Sequence, residues 1–394
     1  MVKKPEVREH SNIITPETSI SGVSDQEKIR DEKARQFIEE INTLKQTAQN
    51  KEDYQKLIKL YQDLEKLYEV KESQELEPWL AEQYENQRRV LSDCGLVKTL
   101  ESGDLGFKGI DGQEYPMPTE EELAQLIEEN RELVEKKKEQ GFTKLLVVPF
   151  GMKLDDLLKS YGGRIIHHFK AGNLKDSQGN KIKDLRKTKK DDDPKNDAAQ
   201  DNEYYPLWKW EKYTNADVSG ELVYYPEELS QQNHQGKTKQ DVITQQGGWN
   251  ILLIEDTPNI PRDNPKEKGG RIQLDTKGAS IKKYIEQGKE YPSPKEYKKA
   301  LKDDPMYQGE SGMTPEDDII CSLTRLEETG QVNGDYTGGE DAVSYQIEAL
   351  FPSSGGVPVA YWGRGGRQAD VGRDDTDYRS DYCGVRPAVR LKES

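Results

Sequence analysis

"AYWGRGGRQADVGRDDTDYRSDYCGVRPAVRL", residues 360–391, is the stretch on which the reading of this chain turns. From Gly363 to Leu391 it holds no Lys and no Glu, although charged residues make up 34% of the chain. Arg and Asp carry its charge, set among Gly, Tyr and Ser. Tyr brings large contact area at low rotamer cost, Ser and Gly adapt, and Arg and Asp make directional charged hydrogen bonds, as in antibody paratopes. Lys and Glu are depleted from interface cores. Apolar "VPVAYW" (357–362) precedes the segment and "GVRPAVRL" (384–391) follows it. That framing predicts a loop or irregular strand pinned at both ends, with residues 363–382 exposed on one face and Trp362 and Val385 buried. A solvated Gly-rich loop is the plain alternative.

Working outward, the carboxyl half reads as α+β. Strands are expected at "FTKLLVVPF" (142–150), "RIIHHF" (164–169), "YYPLWKW" (204–210), "GELVYYP" (220–226) and "GGWNILLIED" (247–256). Helices are expected at "KLDDLLKSYGG" (153–163), "SPKEYKKALK" (293–302) and "GGEDAVSYQIEALF" (338–351). Residues 170–202 read as a charged, low-complexity insertion without structure.

The amino half reads as helical. Residues 1–24 are expected to be a disordered tail. Phe37, Ile41, Leu44 and Ala48 form one stripe, and Tyr54, Leu57, Tyr61, Leu64 and Tyr68 a second. The break at "QNKED" (49–53) predicts a helical hairpin or coiled-coil region over 25–93, extended by "WLAEQYENQRRVL" (79–91) and able to self-associate or bind a partner, with a solvated spacer arm as the plain alternative. Residues 94–141 read as a loop followed by a helix. Its start is marked by Thr119 and Glu122 as a capping box, and its end by lysines and Gly141. The part of the chain starting near Pro118 should then fold alone.

Charge and composition exclude several classes. A net charge of −16 and a pI near 5.0 argue against a nucleic-acid partner, which calls for a basic face. Mean hydropathy is −1.00, so much of the chain is solvated. "VKKPEVREHSNIITPETS" after Met1 has no apolar core, and no stretch reaches about 18 apolar residues. Neither a signal peptide nor direct membrane insertion is expected, and the compartment is cytoplasmic by default. Cys94, Cys321 and Cys383 form no CxxC pair and are odd in number, which fits a reducing compartment.

Catalytic signatures are missing: there is no GxGxxG after a strand, no GxxxxGK[ST], no HExxH and no GxSxG. His167 and His168, adjacent on a strand, would point to opposite faces, one buried and one exposed, and so would not share a metal. "DDDP" (191–194) reads as a solvated acidic run. Cys321 reads as a buried small hydrophobe, and Cys383, near Arg386, has no assignable base. No catalytic residue, metal or cofactor is expected.

"GGWNILLIED", "PSPKEY" (292–297), "VPVAYW", "GRQ" (366–368) and "GVRPAV" (384–389), in that order, resemble the variable proteins of diversity-generating retroelements, most of all those of small-genome uncultivated bacteria and archaea. The resemblance spans residues 142–392. It implies a C-type-lectin-like domain over 142–394, of the superfamily that includes formylglycine-generating enzymes, with a variable ligand-binding segment at 360–384. In that family, errors at adenines turn AAY codons into NNY codons, which never encode Lys, Glu, Gln, Met or Trp. From Gly363 to Leu391 only Gln368 lies outside that set. The resemblance thus assigns variable ligand-binding roles to Gly363, Arg364, Gly365, Gly366, Asp370, Gly372, Arg373, Asp374, Asp377, Tyr378, Arg379, Ser380, Asp381 and Tyr382. Family templates often carry Asn before "RQ"; Gly366 stands there, consistent with an altered codon.

It leaves Trp362, Arg367, Gln368, Val371 and residues 384–389 as scaffold. Stability is expected to rest on Trp249, Leu252, Ile254, Tyr361, Trp362, Val385 and Val389. The implied function is a non-catalytic receptor for changing targets. Proteins are the expected targets, because Tyr, Arg and Asp favour protein surfaces. The alternatives are an enzyme of the formylglycine-generating type, which would need two cysteines close in space, and an adaptor working through the amino-terminal helices.

Overall fold

The computed structural model describes residues 25–47, 56–57, 59–60, 76–187, 203–257, 292–336, 343–380 and 382–391. Two compact units divide the chain, Met1–Gln74 and Glu75–Ser394. In the first, helix α1 (Asp25–Thr47) buries Ala34 and Ile41 and half-buries Phe37 and Leu44, a stripe at helical spacing. The proposed tail and most of the 54–68 stripe lie outside the described residues.

The second unit is mixed α+β. It opens with helix α2 (Pro78–Asp93) and a small antiparallel meander of β1 (Lys98–Thr99), β2 (Leu105–Lys108) and β3 (Glu114–Pro116). Helices α3 (Glu120–Glu129) and α4 (Arg131–Glu139), strand β4 (Phe142–Val148) and helix α5 (Leu154–Lys170) follow. Then come β5 (Leu207–Lys209), β6 (Val223–Tyr224), helix α6 (Lys239–Gln246), β7 (Asn250–Glu255), helix α7 (Pro294–Asp303), β8 (Glu310–Ser311) and helix α8 (Pro315–Thr329). The remaining strands are β9 (Asp335–Tyr336), β10 (Val343–Tyr345), β11 (Ala349–Leu350), β12 (Gly356–Gly363), β13 (Gln368–Asp375), β14 (Cys383–Gly384) and β15 (Ala388–Leu391).

Two sheets matter for the site. An antiparallel sheet runs β4-β7-β15-β8, with Leu145 opposite Leu253 and Leu253 opposite Val389. A six-stranded sheet runs β14-β10-β12-β13-β5, with β9 beside the end of β12. The β12–β13 hairpin pairs in full register from Gly356–Asp375 to Gly363–Gln368. Its alternation feeds two cores. Ala360, Trp362, Ala369 and Val371 join the large core around β4 and β7, whereas Val357 and Val359 join a smaller one with Tyr297 and Leu301 of α7.

The structure corrects several expectations. Residues 79–91 do not extend an amino-terminal hairpin: α2 lies in the second unit, buries Leu80, Tyr84, Val90 and Leu91, and its Gln83 Oε1 accepts from the Leu145 amide at 2.7 Å. Residues 94–118 carry the β1–β3 meander rather than a plain loop. The capping box of Thr119 and Glu122 is present, but the helix is interrupted at Asn130.

"RIIHHF" is not a strand. It continues one helix from Leu154 to Lys170, through Gly162 and Gly163, because burying Leu158, Tyr161, Ile165 and Ile166 outweighs about 1 kcal/mol per helical glycine. In the 338–351 window, the described residues 343–351 form β10 and β11, not a helix. Within the insertion, residues 171–187 are described. Asp176 organises a turn there by accepting from the Asn180 amide at 2.8 Å, and Lys175 bridges Lys181.

Candidate functional site

The segment of restricted alphabet is mostly strand. β12 and β13 hold one end by eight residue pairs. The other end passes through β14 into β15, which lies between β7 and β8, and residues 384–389 are all buried. Between these anchors, residues 376–380 form a loop that follows β13.

The proposed variable positions fall into three places rather than on one exposed face. At the hairpin turn, Gly365 is exposed and Gly366 half-buried, but Gly363 is buried, and a side chain there would press on the Asp370 carboxylate. Arg364 is tied inward: its Nε donates to Asp335 Oδ1 at 2.6 Å, and its guanidinium also pairs with Asp176 at 3.2 Å. Burial alone would raise the Asp335 carboxyl, but Arg364 and the Ser177 amide and hydroxyl outweigh it and hold the group below the usual carboxylate range. Arg367 closes the turn in left-handed backbone, φ 56°, and pairs with Asp184.

The loop docks on the start of α7. Asp377 meets Lys295 at 2.6 Å, and Arg379 donates to both Glu296 oxygens at 2.6 and 2.8 Å. Ser380 is buried, against expectation, since the loop folds back over the smaller core. Asp381 lies outside the described residues. Asp370 is half-buried and accepts from Gln368 Nε2 at 2.9 Å.

The third group surrounds an open cleft of about 600 Å³ on the sheet. Its aromatic walls are Trp208, Trp210, Tyr336, Tyr361, Tyr378 and Tyr382. Three come from outside the segment: Trp208 and Trp210 at the edge strand β5, and Tyr336 on β9. Tyr361, expected as core scaffold, is half-buried and faces the cleft. Tyr336 packs on Tyr382 at 4.8 Å and edge-on to Tyr361 at 5.8 Å between ring centres. The hydroxyls of Tyr378 and Tyr382 are 2.8 Å apart, a bond that, with burial, pushes the Tyr378 phenol up to about 12.

Gly372, with no side chain, keeps the floor open between Val359 and Trp208. Arg373 pairs with Asp375 and lies 5.7 Å over the Trp210 ring. Asp374 is half-buried, and among the described residues its carboxylate has no ion pair or hydrogen bond. Burial pushes it up to about 6, against a lowering by Arg373 and with a further rise from Asp375.

Elsewhere the side chains serve the fold. Trp362, Leu252, Ile254, Val385 and Val389 are buried, whereas Trp249 is half-buried, edge-on to Phe107 at 4.9 Å. On helix α5, His167 is exposed, and His168 meets Glu327 at 3.0 Å beside Arg164. Cys321 and Cys383 are both buried but belong to different cores, and burial pushes the Cys321 thiol up. Among the described residues no His, Cys, Asp and Glu cluster could hold a metal, and no helix is long and apolar enough to cross a membrane. Comparison with known proteins finds no family model, no curated protein and no solved structure that matches this chain.

Proposed function

We propose that the chain is a non-catalytic receptor. In this reading its carboxyl-terminal domain has the C-type-lectin fold, and its ligand-facing side chains are diversified by a retroelement to meet changing protein targets. One observation carries the reading. The residues of the restricted alphabet that open outward, Arg373, Asp374, Tyr378 and Tyr382, ring one aromatic cleft, while the strands beneath them are locked by register and by two cores. Side chains can change there without loss of the frame, because the frame is built by β12, β15 and the opposite face of β13.

The enzyme alternative is less well supported. A formylglycine-generating type needs two cysteines acting together, and Cys321 and Cys383 sit buried in separate clusters. The adaptor alternative leaves the alphabet of residues 363–391 unexplained.

The decisive experiment is to sequence the DNA around the coding locus. A reverse-transcriptase gene and a near-copy of the codons for 360–390, differing from them at adenines, is the expected result. A locus with neither would overturn the reading.

A further inference from the structure

We infer that the cleft between β5, Tyr378 and Tyr382 takes a basic side chain, an arginine or lysine of the protein target, against Asp374 and the surrounding aromatic rings. The inference deepens the receptor reading and rests on it for the setting in which a target arrives.

Three observations carry it. First, the two other charged groups at the cleft answer each other: Arg373 pairs with Asp375 and covers Trp210. Asp374 is left with no ion pair or hydrogen-bond donor at contact distance among the described residues, and Arg373, engaged with Asp375, offsets its burial only in part. A half-buried carboxylate between rings is costly to ionise, which is why burial lifts it to about 6. It is nonetheless mostly ionised at neutral pH, and an arriving cation relieves the cost. Second, the walls suit a cation. Trp208, Tyr336 and Tyr361 line the cleft around the open floor at Gly372, and aromatic faces attract guanidinium and ammonium groups. Arg373 over Trp210 is the same pairing made within the chain. Third, the net charge of −16 draws basic partners and repels acidic ones.

The test titrates the full chain at pH 7.5 with N-acetyl-arginine amide, N-acetyl-lysine amide and the neutral N-acetyl-norleucine amide, following the indole NMR signals of Trp208 and Trp210. The expected result is saturable shifts with the two cationic probes, at least tenfold weaker binding by norleucine amide, and at least tenfold weaker cation binding in Asp374→Asn. Gly372→Leu, which fills the floor and leaves Asp374 in place, should also abolish binding while keeping the near-ultraviolet spectrum of the folded chain. Equal binding of the norleucine probe, undiminished binding in Asp374→Asn, or no shift with any probe would overturn the inference. Failure here, with a reverse transcriptase and an adenine-differing copy at the locus, removes the cation preference alone. Cation binding without them keeps the site and removes diversification.

Discussion

Asp374 makes a prediction that sets stability against binding. Its folded value of about 6 lies above the ordinary value near 3.9, so the folded chain holds this proton more tightly than the unfolded one. Its contribution to stability is therefore fullest below pH 4 and declines as the pH rises through 6. Asp374→Asn should melt about 2 °C above the parent at pH 7.5, and the gap should narrow to about half by pH 5. Affinity for the arginine probe should run the other way and fall as the pH drops through 6, because the probe binds the carboxylate. The titratable groups facing Asp374 are Arg373 and Asp375 on its own strand, Tyr361 and Tyr336 on β12 and β9, Tyr378 and Tyr382 in the loop, and Tyr345 and Cys383 on β10 and β14. Melts and titrations of both chains from pH 5 to 8 check this; a gap independent of pH would refute it. A second set of melts separates frame from surface. Trp362→Ala should cost about 3–5 kcal/mol. Arg364→Ser, which leaves the buried Asp335 without its guanidinium, should cost about 1.5–3 kcal/mol, while Tyr378→Ser should stay within about 0.5 kcal/mol. The alphabet of the segment pointed to Arg373, Asp374, Tyr378 and Tyr382. It could not show that Arg364, of the same type, is spent on Asp335 and Asp176, because those partners lie 29 and 188 residues away in sequence. Trp208 and Trp210 were legible in "LWKW", where half-buried tryptophans alternate with buried Leu207 and Lys209, but nothing local linked them to β13.

Among the elements, the loop at 376–380 is held by β13 before it and by two ion pairs to the first turn of α7. Exposed pairs are worth at most about 1 kcal/mol each, so they order the loop more than they stabilise the fold. Asp377→Ala with Arg379→Ala, which breaks both pairs and leaves the Ser293–Glu296 capping box of α7 intact, should lower the melting temperature little, while backbone amides of 377–380 exchange several-fold faster than in the parent; thermal melts and hydrogen exchange followed by mass spectrometry measure the two. Unchanged exchange would mean the Tyr345 hydroxyl, which donates to the Tyr378 carbonyl at 3.2 Å, suffices. The elements also show where sequence patterns mislead. In "VSYQIEAL", Val343, Tyr345 and Ile347 alternate as a strand should, but Ser344, Gln346 and Glu348 between them are buried too, Gln346 on Asp318 and Glu348 on Lys298. A strand covered on both faces with polar residues on one has no clean period, so a helix reading competes. In "YGGRIIHHF" the glycines and paired isoleucines imitate a turn and a strand, and only packing of α5 along α8 decides otherwise.

For the molecule as a whole, the placement of α2 changes where it can be cut. Gln87 Oε1 accepts from the Val147 amide at 3.4 Å, Gln87 also bonds Thr324 of α8 at 3.2 Å, and the Tyr84 hydroxyl donates to the Pro118 carbonyl. A chain starting at Glu75 should fold with a melting temperature near that of the full chain. One starting at Pro118 loses α2 and the β1–β3 meander, uncovers β4, and should aggregate or melt far lower. Thermal melts and sedimentation of the two truncated chains decide it; equal behaviour would return the boundary to 118. The mixed α+β character and most carboxyl-half strands were legible, since apolar runs such as "LLVV" and "NILLIE" need burial on both faces. The boundary was not, because the charges on α2 resemble those of α1, and the difference lies only in what each helix covers.

The position of β15 has one more consequence. It ends the restricted-alphabet segment in sequence yet sits inside the β4-β7-β15-β8 sheet, where it joins β8 to β7. A stop codon or frameshift anywhere between residues 363 and 382 therefore removes an interior strand, not a tail. The amides and carbonyls along Ile251–Ile254 that face β15 lose their partners, and the product is open to proteolysis. Under the proposed diversification, folding would act as a reading-frame check on the segment: only chains translated correctly through it could assemble the sheet that holds it up.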